Sequence, residues 1–589
     1  MRGTSVAGSR NREWPSRSWL VVLTGLLAAG PVIVSTVQAI NLGWTPSSDD
    51  GVIVLRAFDV FSAHSPLLGQ YSQTSPLIGT PVYSLGPLLY WVLAVPARIG
   101  PVAIVVTMGA ISTVAIAGIV FLADRRGGTG LMFLVAVGVV VMFRSLPVEA
   151  PYEVWNCWAA LLPFTALIFI AWSVACGDFK LLPLLVFVAS YVVQCHLTYL
   201  VPTVGCLAVA WIGLAGYRRQ FPGPGGESHF VPSAQPSMRR WTITATVVVV
   251  VSWIAPLLDE VLHRPGNLVL AARLATSGYG SQGSSKGIGA LARAVGIPPG
   301  WLSPQTPVER LLSSVIAPSA LTEASALLVV LGLGMAVVLG RRQKCPEVVR
   351  GAAIGLTLSA SIAIVARALP SGNLGLAASV YVLTWTSVAG MFVYTVLAWS
   401  AWRLVPLTRS TTSLPRAAAL LGCSALLVAS VLVADRPGSN SASLPPKLGS
   451  YESIRTITAE AVDQLAKRRP VLLYVSNTLG QSGLTFQSAV ALELRRRGIP
   501  FAVSPRLANE MGSQYCPRAV AYPDVIDISE GRLPAPPRAE LLARSATVTI
   551  TLARAPSTVH DEQEALARSQ QNEAVPSRCA RTTTFPPRS

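Results

Sequence analysis

Two adjacent carboxylates, Asp49 and Asp50, followed by Gly51, are the residues of this chain best placed to do chemistry. They fall just beyond the first apolar run and just before an amphipathic stretch. A pair of acids at the lip of a membrane is costly unless solvated, paired or used. In use, such a carboxylate is a base toward a substrate arriving from the bilayer, because it takes a proton within hydrogen-bond reach. The structural alternative is that Ser48, Asp49 or Asp50 caps the helix that follows, whose amino-terminal dipole favours an acid. Capping occupies one such residue and leaves the second acid over. The same dipole is expected to hold the carboxyl pKa down, keeping it ionised at neutral pH.

Other polar side chains sit in neighbouring loops. His64 opens the segment HSPLLGQ and is a candidate for a phosphate or sugar, the alternative being a solvated loop histidine. Glu149 and Glu153 are four residues apart, a spacing that shares a helical face, although Pro151 between them opposes a continuous helix. Solvated loop acids are the plainer reading for both. Gln194–Tyr199 (QCHLTY) places His196 between two apolar runs, where a polar group is a functional candidate by default. The segment DEVLHRPGN, from Asp259, opens the longest outer loop and brings Arg264, with Arg273 beyond it. Either guanidinium suits a phosphate through charge-assisted hydrogen bonds. No motif supports a divalent metal on these acids, and no cofactor is expected.

These side chains need a scaffold, and composition says which kind. The chain has 589 residues, 51% hydrophobic and only 13% charged, with a mean hydropathy of +0.52. A soluble protein carries roughly a quarter charged residues, so the deficit indicates an α-helical polytopic membrane protein. The net charge of +18 would suit nucleic acid or an anionic surface. However, Arg125-Arg126, Arg218-Arg219, Arg239-Arg240 and Arg341-Arg342 flank apolar runs, which is the positive-inside pattern. Nucleic-acid motifs are absent and no nucleic-acid partner is expected.

Apolar runs near the required length of about 20 residues fall at 18–40, 101–122, 129–143, 157–175, 181–195, 199–216, 241–258, 322–340, 350–369, 380–402 and 416–434, about eleven transmembrane helices. Arg2, Arg10, Arg12 and Arg17 place the amino-terminal tail, 1–17, in the cytoplasm, and alternation then keeps those four span-flanking arginine doublets inside. The first span is long for a signal sequence and is expected to remain as an anchor in the plasma membrane. An odd span count leaves the carboxyl terminus outside.

The membrane domain covers 18–434, a linker 435–450, and an extracytoplasmic α/β domain 451–589. In that domain Val471–Val475, Phe501–Val503 and 546–551 are expected strands. Phe486–Arg497 is an expected helix, capped by Thr485 and ended by Gly498-Ile499-Pro500. Cys516 and Cys579 are the cysteines of this external domain and are expected to form a disulfide. Residues 47–61 are expected to lie along the membrane surface. Ile53, Val54, Ala57, Phe58 and Phe61 share one helical face, with Arg56 and Asp59 opposite. The run Pro87–Val95 is too short to span and suggests a second interfacial helix, with Tyr90 and Trp91 at headgroup level.

Taken together, the acid pair after the first span, the short Gly86–Trp91 segment (GPLLYW), Gln194–Tyr199, the outer segment Trp253–Glu260 and Pro265-Gly266-Asn267 resemble the GT-C class of membrane glycosyltransferases. The likeness covers roughly 18–434. The string Asp49–Arg56 (DDGVIVLR) is also similar to the corresponding loop of actinobacterial arabinofuranosyltransferases, although the residues after Arg56 depart from that pattern. The resemblance implies a polyprenyl-phosphate sugar donor, an envelope glycan, lipid or protein as acceptor, and an acid of the first outer loop as base, a role that falls on Asp49 or Asp50. A carboxylate suffices there because a phosphate leaving group departs with little help. Two other classes compete. A transporter or flippase of polyprenyl-linked substrates would place ionisable residues at mid-membrane, often in repeated halves. A scaffold displaying the external domain would make both aspartates dispensable.

Overall fold

The computed structural model describes residues 14–220, 238–277, 280–304, 316–372, 380–404, 416–434, 451–465, 471–475, 481–503, 505–516, 524–530, 534, 539–544 and 548–554. All eleven expected runs are helical. Among the described residues, seven long apolar helices have the length and composition to cross a membrane: Pro101–Ser145, Asn156–Ala175, Leu197–Tyr217, Met238–Leu262, Ala320–Arg342, Pro346–Ala368 and Val380–Leu404. Ser18–Ala28 and Gly30–Asn41 form one more candidate, bent by 47°. Phe179–Cys195 and the helix Arg416–Ala434 are shorter apolar members of the bundle. The stretch Pro101–Ser145 comprises two of the expected spans. Gly128 breaks it with φ +68°, a left-handed conformation that glycine adopts without a Cβ penalty.

Helix Leu161–Ala175 is apolar on all sides, and every one of its residues is buried, as such a pattern requires. Phe164, Phe169 and Trp172 meet Trp385, Phe392 and Trp399 edge to face at centroid distances of 5.3–5.9 Å. At one end of the bundle the basic turns gather. Arg125 and Arg126 both pair with Asp178, Trp172 Nε1 donates to the Glu347 carbonyl at 2.9 Å, and Gln343 reaches the Leu404 carbonyl at 3.1 Å. The loop bearing the acid pair and the carboxy-terminal domain meet at the other end.

At that acidic end, α1 (Asp49–Phe58) and the short α2 (Leu88–Leu93) lie in the first loop, and α3 (Asn267–Thr276) lies in a later one. The carboxy-terminal domain contributes α4 (Tyr451–Leu465), α5 (Gln481–Arg496) and a five-stranded sheet. Its strands are β1 (Val471–Val475), β2 (Phe501–Val503), β3 (Asp524–Glu530), β4 (Ala539–Arg544) and β5 (Val548–Arg554), in the order β2-β1-β3-β5-β4. β1 pairs in parallel with β2 and β3, and β5 is antiparallel to β3 and β4. Parallel neighbours need a crossover helix, and α5 supplies it between β1 and β2. Thr485 is not its cap, because α5 begins at Gln481 and Thr485 is buried inside it. The linker 435–450 lies outside the described residues. Cys516 is disulfide-bonded, whereas Cys579, its expected partner, lies outside the described residues.

Candidate functional site around Asp49

The surface-helix expectation for 47–61 is overturned. Val52, Ile53, Val54, Leu55 and Ala57 are all buried, with exposures of 0–1%, while Phe61 is exposed. Apolar residues on every side require cover on every side, and the carboxy-terminal domain covers the face left open by the bundle. Gly51 permits this close approach, since a Cβ there would come 2.5 Å from Ser488 Oγ on α5. Asp59, expected on the solvent side, is 1% exposed. It accepts from Arg495 Nε at 2.9 Å, Gln514 Nε2 at 2.6 Å and the Tyr515 hydroxyl at 2.9 Å. Arg56 donates to the Met511 carbonyl at 3.3 Å. The polar face of α1 is therefore the clamp for the carboxy-terminal domain.

The other end of α1 carries the acids. Ser48 precedes it with φ 55° and ψ −136°, a combination rarely held by a residue with a Cβ. Its side chain makes no cap hydrogen bond, and Asp49 and Asp50 occupy the first turn. Asp50 is 4% exposed. Asp49, partly buried, accepts a 2.7 Å hydrogen bond from Gln70 Nε2. A short antiparallel pairing fixes Gln70: Gly69 N donates to Ser84 O at 3.0 Å, Ser84 N to Gln70 O at 2.8 Å and Ser72 N to Val82 O at 2.8 Å. Asn267, at the start of α3, holds the same ladder through Tyr83, donating to its carbonyl and accepting from its amide.

Burial raises the Asp49 carboxyl from 3.8 to about 6; the Gln70 hydrogen bond pulls it down and the charge of Glu153 pushes it up. The low pKa expected from the helix dipole is thus corrected, because desolvation outweighs a partial charge at a helix end. A carboxyl with this pKa is mostly ionised at pH 7 yet close enough to that pH to hold a proton, the property a general base needs.

Glu153 is buried at 4% exposure, not solvated. A turn in which the Tyr152 and Glu153 amides donate to the Glu149 carbonyl at 3.0 Å accommodates Pro151 and carries Glu153 inward. Glu149 is half-buried. His196 is half-buried, and its Nδ1 accepts from Thr198 N at 3.3 Å and contacts Thr198 Oγ1 at 2.8 Å. Burial lowers its pKa to about 4, so the ring is neutral at pH 7. His64, Arg264 and Arg273 are exposed. Tyr90 does not sit at a headgroup belt: it is 2% exposed and packs inward from α2. Trp155 lies beside Tyr381 at 4.6 Å and Trp158 at 4.9 Å. Among the described residues, no three His, Cys, Asp or Glu side chains gather as a metal site.

Gln70, Tyr381 and the clamp residue Asp59 were not marked by sequence reasoning. Gln70 offered no distinguishing signal, since it sits in a polar stretch with Ser72, Gln73, Thr74 and Ser75 close behind it.

Fold and site together define a polytopic helical membrane protein whose carboxyl-centred site lies under an appended α/β domain. No family model and no curated protein matches the chain. Among solved structures it is similar to the crystal structure of ArnT from Cupriavidus metallidurans in the apo state, with 11% identity and a TM-score of 0.43, over 91% of this chain and 98% of that chain. A likeness this distant bears on neither reaction nor substrate.

Proposed function

We propose that this protein is a membrane glycosyltransferase that moves a sugar from a polyprenyl-phosphate donor to an extracytoplasmic envelope acceptor, with Asp49 as base. The observation that carries the reading is the Asp49 carboxyl itself, partly buried, held by Gln70 and raised to about 6 at the end of an apolar bundle. The amino terminus lies in the cytoplasm and the carboxy-terminal domain on the outer side of the plasma membrane. In the reaction an acceptor hydroxyl oxygen attacks the anomeric carbon, the carbon–oxygen bond to phosphate breaks, and the hydroxyl proton passes to Asp49. The phosphate departs as a stable anion and needs no proton, which is why one carboxylate suffices. Glu153 keeps the pKa of that carboxylate up, while Gln70 fixes its orientation. The neutral imidazole of His196 and the Trp155–Tyr381 pair supply polar and stacking surface for a sugar.

The experiment is glycan transfer by the purified full chain with a panel of polyprenyl-phosphate sugars, alongside Asp49→Ala and Asp50→Ala. Transfer that vanishes in Asp49→Ala supports the reading. Full activity in both variants rejects the base assignment, and movement of lipid-linked sugar across vesicles without transfer rejects the enzyme.

A further inference from the structure

Bordering Gln70, the hydrogen-bond partner of Asp49, lies a small cavity of about 10 Å³, walled also by Leu89, Tyr90, Asn156, Gln194 and Cys195. Its size suits one water-sized group. Two of its polar walls are already committed. Asn156 Nδ2 donates to the Cys195 carbonyl at 3.0 Å, and its Oδ1 accepts from Cys157 N at 3.0 Å. Gln194 Nε2 donates to the Ser252 carbonyl at 2.7 Å, and its Oε1 accepts from Leu88 N at 3.4 Å.

Two polar atoms of the wall residues remain. The Tyr90 hydroxyl and Gln70 Oε1 are both buried and have no hydrogen-bond partner among the described residues. The Gln70 amide is not free to turn, because an ionised Asp49 only accepts and so requires the NH2 side, leaving the carbonyl to face away. A carbonyl oxygen repels anions, which excludes a phosphate or carboxylate from this position. A group that donates to Gln70 Oε1, pairs with the Tyr90 hydroxyl and fits the space of one heavy atom is a hydroxylic oxygen.

We propose that the cavity is a subsite for a single neutral hydroxylic oxygen, gripped between the Tyr90 hydroxyl and Gln70 Oε1. Two sources share this chemistry: a resident water, and one hydroxyl of an acceptor glycan delivered next to the Asp49 base. Only the second source rests on the transfer reading above.

The test is density for the full chain in lipid nanodiscs, at a resolution that shows ordered water, without ligand and with an octyl arabinofuranoside as acceptor probe. An oxygen bridging Tyr90 and Gln70 without ligand supports the proposal and identifies water. An oxygen belonging to the glycoside supports it and identifies the acceptor. In parallel, Tyr90→Phe keeps the ring and removes the hydroxyl. A bridged hydroxyl predicts a lower Tm, and an acceptor source also predicts a loss of about fivefold in kcat/KM for the acceptor, the effect of one ordinary hydrogen bond. A dry cavity in both structures, with the Tyr90→Phe Tm unchanged or raised, overturns the subsite. Retained transfer in Asp49→Asn would overturn the base reading alone and leave the density and Tm results standing.

Discussion

Asp49 and Asp59 stand at opposite ends of the same ten-residue helix, and their surroundings differ in kind. Asp59 lies at the carboxyl end, where the helix dipole disfavours an acid. Yet it receives three side-chain hydrogen bonds, one of them from an arginine. Asp49 lies at the favourable end but, among the described residues, receives one side-chain bond, from a neutral amide, with a second carboxylate nearby. An acid with ample donors at a packed contact serves structure; a partly buried acid with few donors is raised toward neutral pH and can exchange a proton. The comparison assigns the two ends different work: one anchors the carboxy-terminal domain, and the other is proposed to carry the reaction.

The contrast breaks most sharply under exchange of carboxylate for amide. Asp49→Asn is expected to lower transfer by about a thousandfold, the contribution of a positioned base, while raising Tm at pH 7. The sign follows from linkage. A carboxyl whose folded pKa is raised from 3.8 to about 6 destabilises the fold above pH 6, and that effect disappears below the unfolded value. Thermal unfolding at pH 7.5 and pH 4 checks it, since the gain should be present only at the higher pH.

Asp59→Ala should do the reverse and destabilise the docked domain by about 2–4 kcal/mol. Loss of one partner from a buried pair is costly, and the figure is reduced because the Arg495 side chain is one-third exposed. Limited proteolysis of the carboxy-terminal domain reads the effect directly. Gly51→Ala is expected to cost about 1–3 kcal/mol by forcing a Cβ against Ser488, and Ser488→Gly should recover most of it.

The smallest effects sharpen the picture at the Asp49 end. Glu153→Gln removes the charge that raises Asp49, so the acidic limb of kcat/KM should move to lower pH. Gln70→Leu removes the bond that lowers it, so the limb should move to higher pH. Limbs shifting together, or not at all, would mean that neither side chain tunes the base.

Much of the architecture was legible in the sequence. Apolar run length marked all eleven helical segments, arginine doublets marked the basic end, and Val471–Val475 and Phe501–Val503 were readable as strands. Hydrophobic periodicity failed on α1, because amphipathicity cannot tell a membrane surface from a docked domain. Arg56 and Asp59 looked solvated only while α5 and the segment around Gln514 and Tyr515 were unknown partners, more than 400 residues away. The same blindness to long-range burial explains Glu153 and Tyr90, whose residue types suggest a wet loop and a headgroup belt. The Asp49 pKa was misjudged for a related reason: a helix end is local and visible in sequence, whereas desolvation is a property of the assembled fold.

The central claim is that Asp49 is a base poised near neutrality by burial. Its most direct measurement is the pH dependence of kcat/KM for sugar transfer by the purified wild-type chain, compared with Asp49→Asn. The account predicts a single-proton acidic limb near pH 6 in the wild type and, in the variant, residual activity without that limb. A limb near pH 4 in the wild type, or an unchanged limb near pH 6 in Asp49→Asn, would contradict it.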